Sequence, residues 1–346
     1  MNGLVRRSAA LAVLAAAAAL AEPLPVASQE GAGTSAGRTA DDAPLEAAGR
    51  AAQSLSFVGV LQLRWSEEGE ERSETLVVHG ANGSLVVKGG TAVMASSEQR
   101  LVEHSGEDWN LLWPAGFSGS DRPAVSQKYQ LVASPGPPVA NRTSRVVEVR
   151  SRSGALVEKL YLDDQTDLLL RREQFVDGPT PFRTVGFESV TIGASVAAPP
   201  PPVDFNTAAP QVLSATRVPP GVSAPVALAD GYQRVGLYRR SGVVQALYSD
   251  GLYDLSVFEQ QGTLNRRGLP DRARVDVGDE RAWHYSWPGG HVLLWEDGGT
   301  VYTAVSDAPL DQMVTAAASL PPAGVSPSLV RRLRQVARAL VQPLAA

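Results

Sequence analysis

Residues 248–260, YSDGLYDLSVFEQ, place Asp250-Gly251 between two runs that alternate apolar and polar side chains, 243–248 and 252–258. An Asp-Gly pair flanked by such runs is the strongest short-range hairpin signal a sequence carries, because turn positions with positive φ favour these residues. No catalytic motif lies within the stretch. It speaks for architecture: strands folding back on one another in antiparallel sheet.

Working outward, the same period of two recurs on both sides. Towards the C-terminus, strands are expected over 282–287, 292–296 and 300–305, after which Asp307 and Pro309 open a helix running to about Ser319. Towards the N-terminus lies a strand at 232–238, and before it four consecutive prolines, Pro199 to Pro202, which favour an extended, semi-rigid connector. We place a domain boundary there, with a linker over 196–210 between a first domain, 42–195, and a second, 211–322. In the first domain Phe57, Leu61, Leu63 and Trp65 alternate with Gln62 and Arg64, and further strands are expected at 75–79, 85–88, 145–150, 159–162, 168–175 and 184–192. Residues 80–84, GANGS, read as a connecting loop. One short amphipathic helix precedes these strands: Asp42 caps it, Pro44 suits its first turn, and Leu45, Ala48, Ala52 and Leu55 recur at helical spacing.

The ends have their own character. Arg6 and Arg7 precede an apolar run of about a dozen residues ending in Ala19-Leu20-Ala21, so residues 1–21 read as a cleaved secretory signal, too short for a spanning helix of ~20 residues. Residues 22–41, rich in Gly, Ala and Ser, read as a flexible tether. At the other end, residues 323–346 form a basic amphipathic helix. Leu329, Leu333, Val336 and Leu340 share one face and Arg331, Arg334 and Arg338 the other, a face for packing on the same domain or for meeting a partner or membrane surface.

Composition narrows the function. A chain of 346 residues with 44% hydrophobic content builds real cores, about two domains' worth. The formal charge is −5, and loss of the signal removes Arg6 and Arg7 and no acid, so nucleic acid is not an expected partner. No cysteine is present, which excludes disulfides, thiolate metal sites, cysteine nucleophiles and a lipoprotein anchor. An exported, periplasmic or cell-envelope protein is expected, touching the membrane only peripherally. Enzymatic signatures are missing: there is no G-x-S-x-G elbow, H-E-x-x-H, phosphate loop or dinucleotide fingerprint. His284 and His291 flank a turn at 287–290 and an even register would put them on one face. With no third ligand in the pattern they read as surface or packing residues, and no metal, catalytic residue or cofactor is assigned. Asp163, Asp164 and Asp167 lie between two apolar runs and read as a turn, as do the two glycosylation-like sequons at Asn82 and Asn141.

What remains is apolar. Phe57, Leu61, Leu63, Trp65, Trp109, Leu111, Trp113 and Phe117 form an aromatic- and leucine-rich set that either fills a core or lines a cavity for an acyl chain. Periodicity alone does not separate the two.

Three stretches, taken in order, resemble one family. Ser56-Phe57-Val58-Gly59, residues 161–175 (YLDDQTDLLLRREQF) and the Asp250-Gly251-Leu252 turn followed by Ser256-Val257-Phe258 are similar to RseB/MucB-like regulators of an envelope-stress sigma factor. The resemblance implies a β-rich α+β chain: an N-terminal LolA-like open antiparallel half-barrel enclosing helices, then a smaller antiparallel β domain with a helix. It implies no catalytic residues. Its implied partners are the extracytoplasmic part of an anti-sigma factor, shielded from proteolysis, and a lipid or other amphiphile that weakens that hold. A lipid or lipoprotein carrier without a role in transcription is the alternative.

Overall fold

Alternation of buried and exposed side chains over residues 57–65 makes β1 a half-buried strand, and its two neighbours fix the topology of everything before residue 193. The structure, a computed structural model, describes residues 42–322 except 68, 82–83, 90–91, 98–99, 103–121, 194–210, 214–217, 241, 270–272 and 288. The first sheet holds β1 (Phe57–Glu67), β2 (Glu70–Ala81), β3 (Ser84–Gly89), β4 (Ala92–Ser97), β5 (Arg100–Val102), β6 (Gln130–Val139), β7 (Arg142–Arg150), β8 (Leu156–Asp163), β9 (Leu169–Phe175) and β10 (Pro181–Ile192). Its order is β5-β4-β3-β2-β1-β10-β9-β8-β7-β6, two antiparallel meanders joined where β1 pairs with β10. The end strands β5 and β6 do not pair, so the sheet is an open half-barrel. Helix α1 (Ala43–Ser54) lays Leu45, Ala48 and Ala51 against one face, where Phe57, Leu61, Leu63, Leu76, Val78, Val185 and Phe187 are all buried. The Phe57 ring meets Phe187 edge-on at 6.0 Å and lies over Gly80, where a Cβ would strike it.

The second sheet contains β11 (Gln211–Val212), β12 (Gln233–Arg240), β13 (Val243–Ser249), β14 (Asp254–Gln261), β15 (Arg274–Val277), β16 (Glu280–Trp287), β17 (Gly290–Asp297) and β18 (Thr300–Ser306), in the order β11-β12-β13-β14-β18-β17-β16-β15. Helix α2 (Leu310–Ala318) follows and buries Met313, Ala316 and Ala317. Both faces of this sheet are packed. Phe258, Trp283, Tyr285 and Leu294 form a separate cluster on one side, while Leu255, Val257, Leu293 and Tyr302 join the main core, which runs on without interruption into the first sheet.

Three expectations are corrected. The hairpin exists, but Asp250-Gly251 is not a two-residue turn. β13 and β14 close at Ser249 and Asp254, and residues 250–253 form the loop, because the Asp250 carboxylate takes the Leu252 and Tyr253 amides and the Asp250 amide bonds Tyr253 O at 3.1 Å. Asp42 stands before α1 but does not cap it: its carboxylate accepts from the amide and hydroxyl of Ser126 instead. The expected loop at 80–84 shrinks to two residues, since Ala81 already pairs with Ser84. The sequence reading also passed over β4, β5, β11, β15 and, most visibly, β6, whose Pro135, Pro137 and Pro138 argue against a strand. An edge position tolerates them because no outer ladder needs their missing amide.

Candidate functional site at the junction of the two sheets

Directly paired residues on neighbouring strands share a face, so the register lays out the inner face of the first sheet row by row. One row reads Leu63, Val185, Arg172, Leu160. The next reads Trp65, Arg183, Gln174, Glu158. Thus the face is apolar beneath α1 and turns polar along a band of four side chains, Glu158, Arg172, Gln174 and Arg183, every one of them buried.

That polar band receives Asp307, which stands between β18 and α2. Arg172 donates through Nη1 to Asp307 Oδ2 at 2.8 Å and through Nη2 to Glu158 Oε1 at 2.6 Å. Gln174 Nε2 reaches Glu158 Oε1 at 2.8 Å and the Asp307 carbonyl at 3.1 Å. Arg183 donates through Nε to Gln174 Oε1 and through Nη2 to the Asp307 carbonyl at 3.1 Å, while its Nη1 has no hydrogen-bond partner among the described residues. On its own sheet Asp307 Oδ1 accepts the Asp254 amide at 3.1 Å. Two cations and two carboxylates are therefore packed together, formally neutral, with one residue of the second sheet completing a network built by the first.

A second set of contacts forms around the β13–β14 loop, residues 250–253. Asp250 Oδ2 accepts from Lys128 Nζ at 2.6 Å, the Tyr129 hydroxyl at 2.7 Å and Gln312 Nε2 at 2.7 Å, so one carboxylate ties the first sheet's approach segment, the β13–β14 loop and α2. Gly251, at φ +96°, lets this loop close on residues 123–125; a Cβ there would lie 2.7 Å from the Pro123 carbonyl oxygen. Arg122 forks onto both oxygens of Asp254. Ser126, four residues on, is the residue held by Asp42, and Arg152 donates to the Ser126 carbonyl at 2.6 Å. Residues 122–129 thus tie α1, the β7–β8 turn and the second sheet.

Burial sets the electrostatics. Desolvation pushes the Asp307 carboxyl up to about 6, against the pull of Arg172 and Arg183, and draws the Arg183 guanidinium down to about 10 with help from Arg172's like charge. Desolvation opposes the charge of Arg172 as well, but Glu158 and Asp307 outweigh it and hold its pKa above the usual arginine value. Away from the junction, burial raises Glu259 to about 7; its Oε2 accepts the Ser223 amide at 2.8 Å and its Oε1 has no partner among the described residues.

Of the apolar set, Phe57, Leu61, Leu63 and Trp65 lie on this inner face, the first three buried and Trp65 partly so. Trp109, Leu111, Trp113 and Phe117 fall outside the described residues, as do Arg331, Arg334 and Arg338, the signal and tether, and the whole proline linker. The Asp163 turn forms as expected, with Oδ1 accepting the Gln165 and Thr166 amides. Asn141 turns the β6–β7 hairpin at φ 60°. His284 and His291 do share a face, with Nε2 and Nδ1 3.0 Å apart. The junction itself was missed. Its signal was present in Arg172 and Gln174, polar residues on the inward phase of an apolar alternation, where a buried partner is required.

No protein-family model matches the chain, and no curated protein matches it in sequence. Solved structures do. A crystal structure of MucB has 20% identity and a TM-score of 0.52, covering 82% of this chain and 98% of that one. MucB in complex with MucA(peri) has 19% identity and a TM-score of 0.49 over 82% and 100% of the two chains. The MucA/MucB complex of Pseudomonas aeruginosa has 20% identity and a TM-score of 0.48 over 83% and 100%. At this identity the match to MucB establishes the fold: this chain has the two-sheet architecture of MucB over most of its length, the one the sequence resemblance implied. Among the described residues no helix is long and apolar enough to cross a membrane.

Proposed function

We propose, from the fold shared with MucB, that this chain is an extracytoplasmic regulator of an envelope-stress sigma factor, binding the outer part of an anti-sigma factor and shielding it from proteolysis. The observation that carries the reading is the fold match over 82% of this chain and 98% of that one, coming on three sequence stretches that already pointed to the same family. A lipid-like ligand is the signal in this reading, taken up on the inner face of the first sheet beside Trp65, where α1 covers Phe57, Leu61 and Leu63 and has to give way to admit it. The mechanism is linkage: a ligand that prefers one arrangement of the two sheets shifts the population away from any arrangement the anti-sigma factor prefers. The junction around Asp307 and Asp250 is the natural element to carry that shift, since it is polar, buried and specific in geometry. The protein holds its partners and transforms none of them.

A second reading, a lipid or lipoprotein carrier without regulatory role, is favoured by the apolar half of that inner face alone. Pull-down of the exported protein from envelope extract, with identification of bound proteins and lipids, separates them. Recovery of an anti-sigma fragment whose cleavage by its protease slows in the presence of the protein supports the regulator. Lipid without any such fragment supports the carrier, and neither would sink both.

A further inference from the structure

We propose that Trp65 and Arg183 form the head-group site for a fatty carboxylate, a singly charged amphiphile, on the inner face of the first sheet. The inference rests on the reading above that this face takes up a lipid-like ligand, and it names the ligand's class. Trp65 on β1 pairs directly with Arg183 on β10, which sets the two side chains next to one another on that face, their Cβ atoms about 5 Å apart. Each carries a donor that is closed off from solvent and has no hydrogen-bond partner among the described residues: Trp65 Nε1 and Arg183 Nη1. An indole N–H and a guanidinium N–H can only donate, so both call for an acceptor oxygen. Leaving a buried donor unmade is costly, and two of them on paired positions concentrate that cost in one place.

The charges nearby specify the acceptor. Arg172 takes both carboxylates of the junction, Asp307 through Nη1 and Glu158 through Nη2. Arg183 bonds only uncharged oxygens, Gln174 Oε1 and the Asp307 carbonyl, so among the described residues no anion touches its guanidinium. Burial, His284 and the charge of Arg183 draw His291 down to about 3, so that imidazole is neutral near pH 7 and adds no charge of its own. An anionic oxygen is therefore favoured over a neutral one, and hydrogen bonds to it are roughly twice as strong. A carboxylate brings two oxygens and one charge, matching two donors and one cation. A phosphate monoester brings a third oxygen and close to a second charge, both left unmatched in the interior. The next rows of the face supply the apolar surface: Leu63 beside Val185, then Leu61 beside Phe187, under α1. Head and tail thus have adjoining places, the carboxylate at Trp65 and Arg183 and the chain along Leu63 and Leu61 where α1 gives way. Trp65 is only partly buried, which puts entry at this end of β1.

The test titrates the purified exported protein with dodecanoate, dodecanol and dodecyl phosphate, three heads on one chain, each below its micelle concentration and near neutral pH. Dodecanoate is expected to bind about tenfold more tightly than either of the others. In protein labelled with ¹⁵N-tryptophan, the indole N–H signal of Trp65, identified by its loss in Trp65→Phe, should move downfield as dodecanoate binds, and acetate alone should leave it in place. Arg183→Gln should bring the ratio of dodecanoate to dodecanol affinity close to one, and Trp65→Phe should lower it several-fold. Equal binding of all three, or tightest binding of the phosphate, would overturn the carboxylate site and leave the lipid reading standing. Binding of none would overturn both. An unmoved Trp65 signal, or one that acetate alone moves as far, would also overturn it. The comparison of heads on the unaltered protein decides the matter even if Arg183→Gln does not fold.

Discussion

The inner face of the first sheet has two halves that solve the same problem differently. Beneath α1, Phe57, Leu61, Leu63 and Phe187 exclude water with apolar surface, an interaction without direction that many alternative side chains would supply. Along the next band, Glu158, Arg172, Gln174 and Arg183 are equally buried yet satisfied only when Asp307 of the second sheet stands in one place and one orientation. The first half makes the sheet stable. The second makes the arrangement of the two sheets specific, at an energetic risk, since a buried charge that loses its partner costs far more than the intact pair contributes.

The contrast is broken most severely by Leu61→Asp, which places an unpaired carboxylate under α1. That burial costs several kcal/mol, comparable with the stability of a whole domain, and the first sheet should fail to fold, read as loss of cooperative urea unfolding. Arg172→Met comes next: it leaves two buried carboxylates to the single charge of Arg183 and should cost about 3–5 kcal/mol, whereas combining it with Glu158→Gln should recover most of the loss, because Asp307 and Arg183 then balance one another. Leu63→Ala should cost about 3 kcal/mol, within the range for a buried leucine, and, unlike the junction variants, leave the pH dependence of stability unaltered. Asp307→Asn sharpens the comparison through pH. Burial raises the folded-state pKa of Asp307 from 3.8 to about 6, so the folded protein keeps this proton at higher pH than the unfolded chain does. Its stabilising contribution is complete below about pH 4 and is lost as pH rises through about 6, and the variant should flatten the stability curve across that window. Arg122→Ala is expected to be mildest, about 1 kcal/mol, because its pair with Asp254 is partly open to solvent.

The same contrast explains what the sequence disclosed. Strand after strand was legible because period-two alternation is a local property: the readings at 145–150, 184–192 and 243–248 each fall inside an observed strand. The apolar half of the site was legible for the same reason, as Phe57, Leu61 and Leu63 announce one face by spacing alone. The junction was not, because it is made by contacts between residues more than a hundred positions apart, such as Arg172 with Asp307 and Tyr129 with Asp250. Asp250 looked like a turn residue and is one, but its second carboxylate oxygen serves the other sheet. Asp307 looked like the start of a helix and instead completes a buried ion network just ahead of α2. In both cases local chemistry explained the residue type so well that nothing prompted a search for a distant partner. β6 was lost for the opposite reason: its prolines contradict the local rule, and only an edge position reconciles them.

Because the chain contains no native cysteine, one spin label can be placed on each sheet without interference, at the exposed positions Ser153→Cys and Thr263→Cys. Double electron–electron resonance between them measures the arrangement of the sheets directly. If the buried contacts of Asp307 fix that arrangement, the distance distribution is narrow and single, and Arg172→Met broadens or shifts it. A distribution that is already broad, or one that Arg172→Met leaves untouched, would show that something other than this polar band holds the two sheets together.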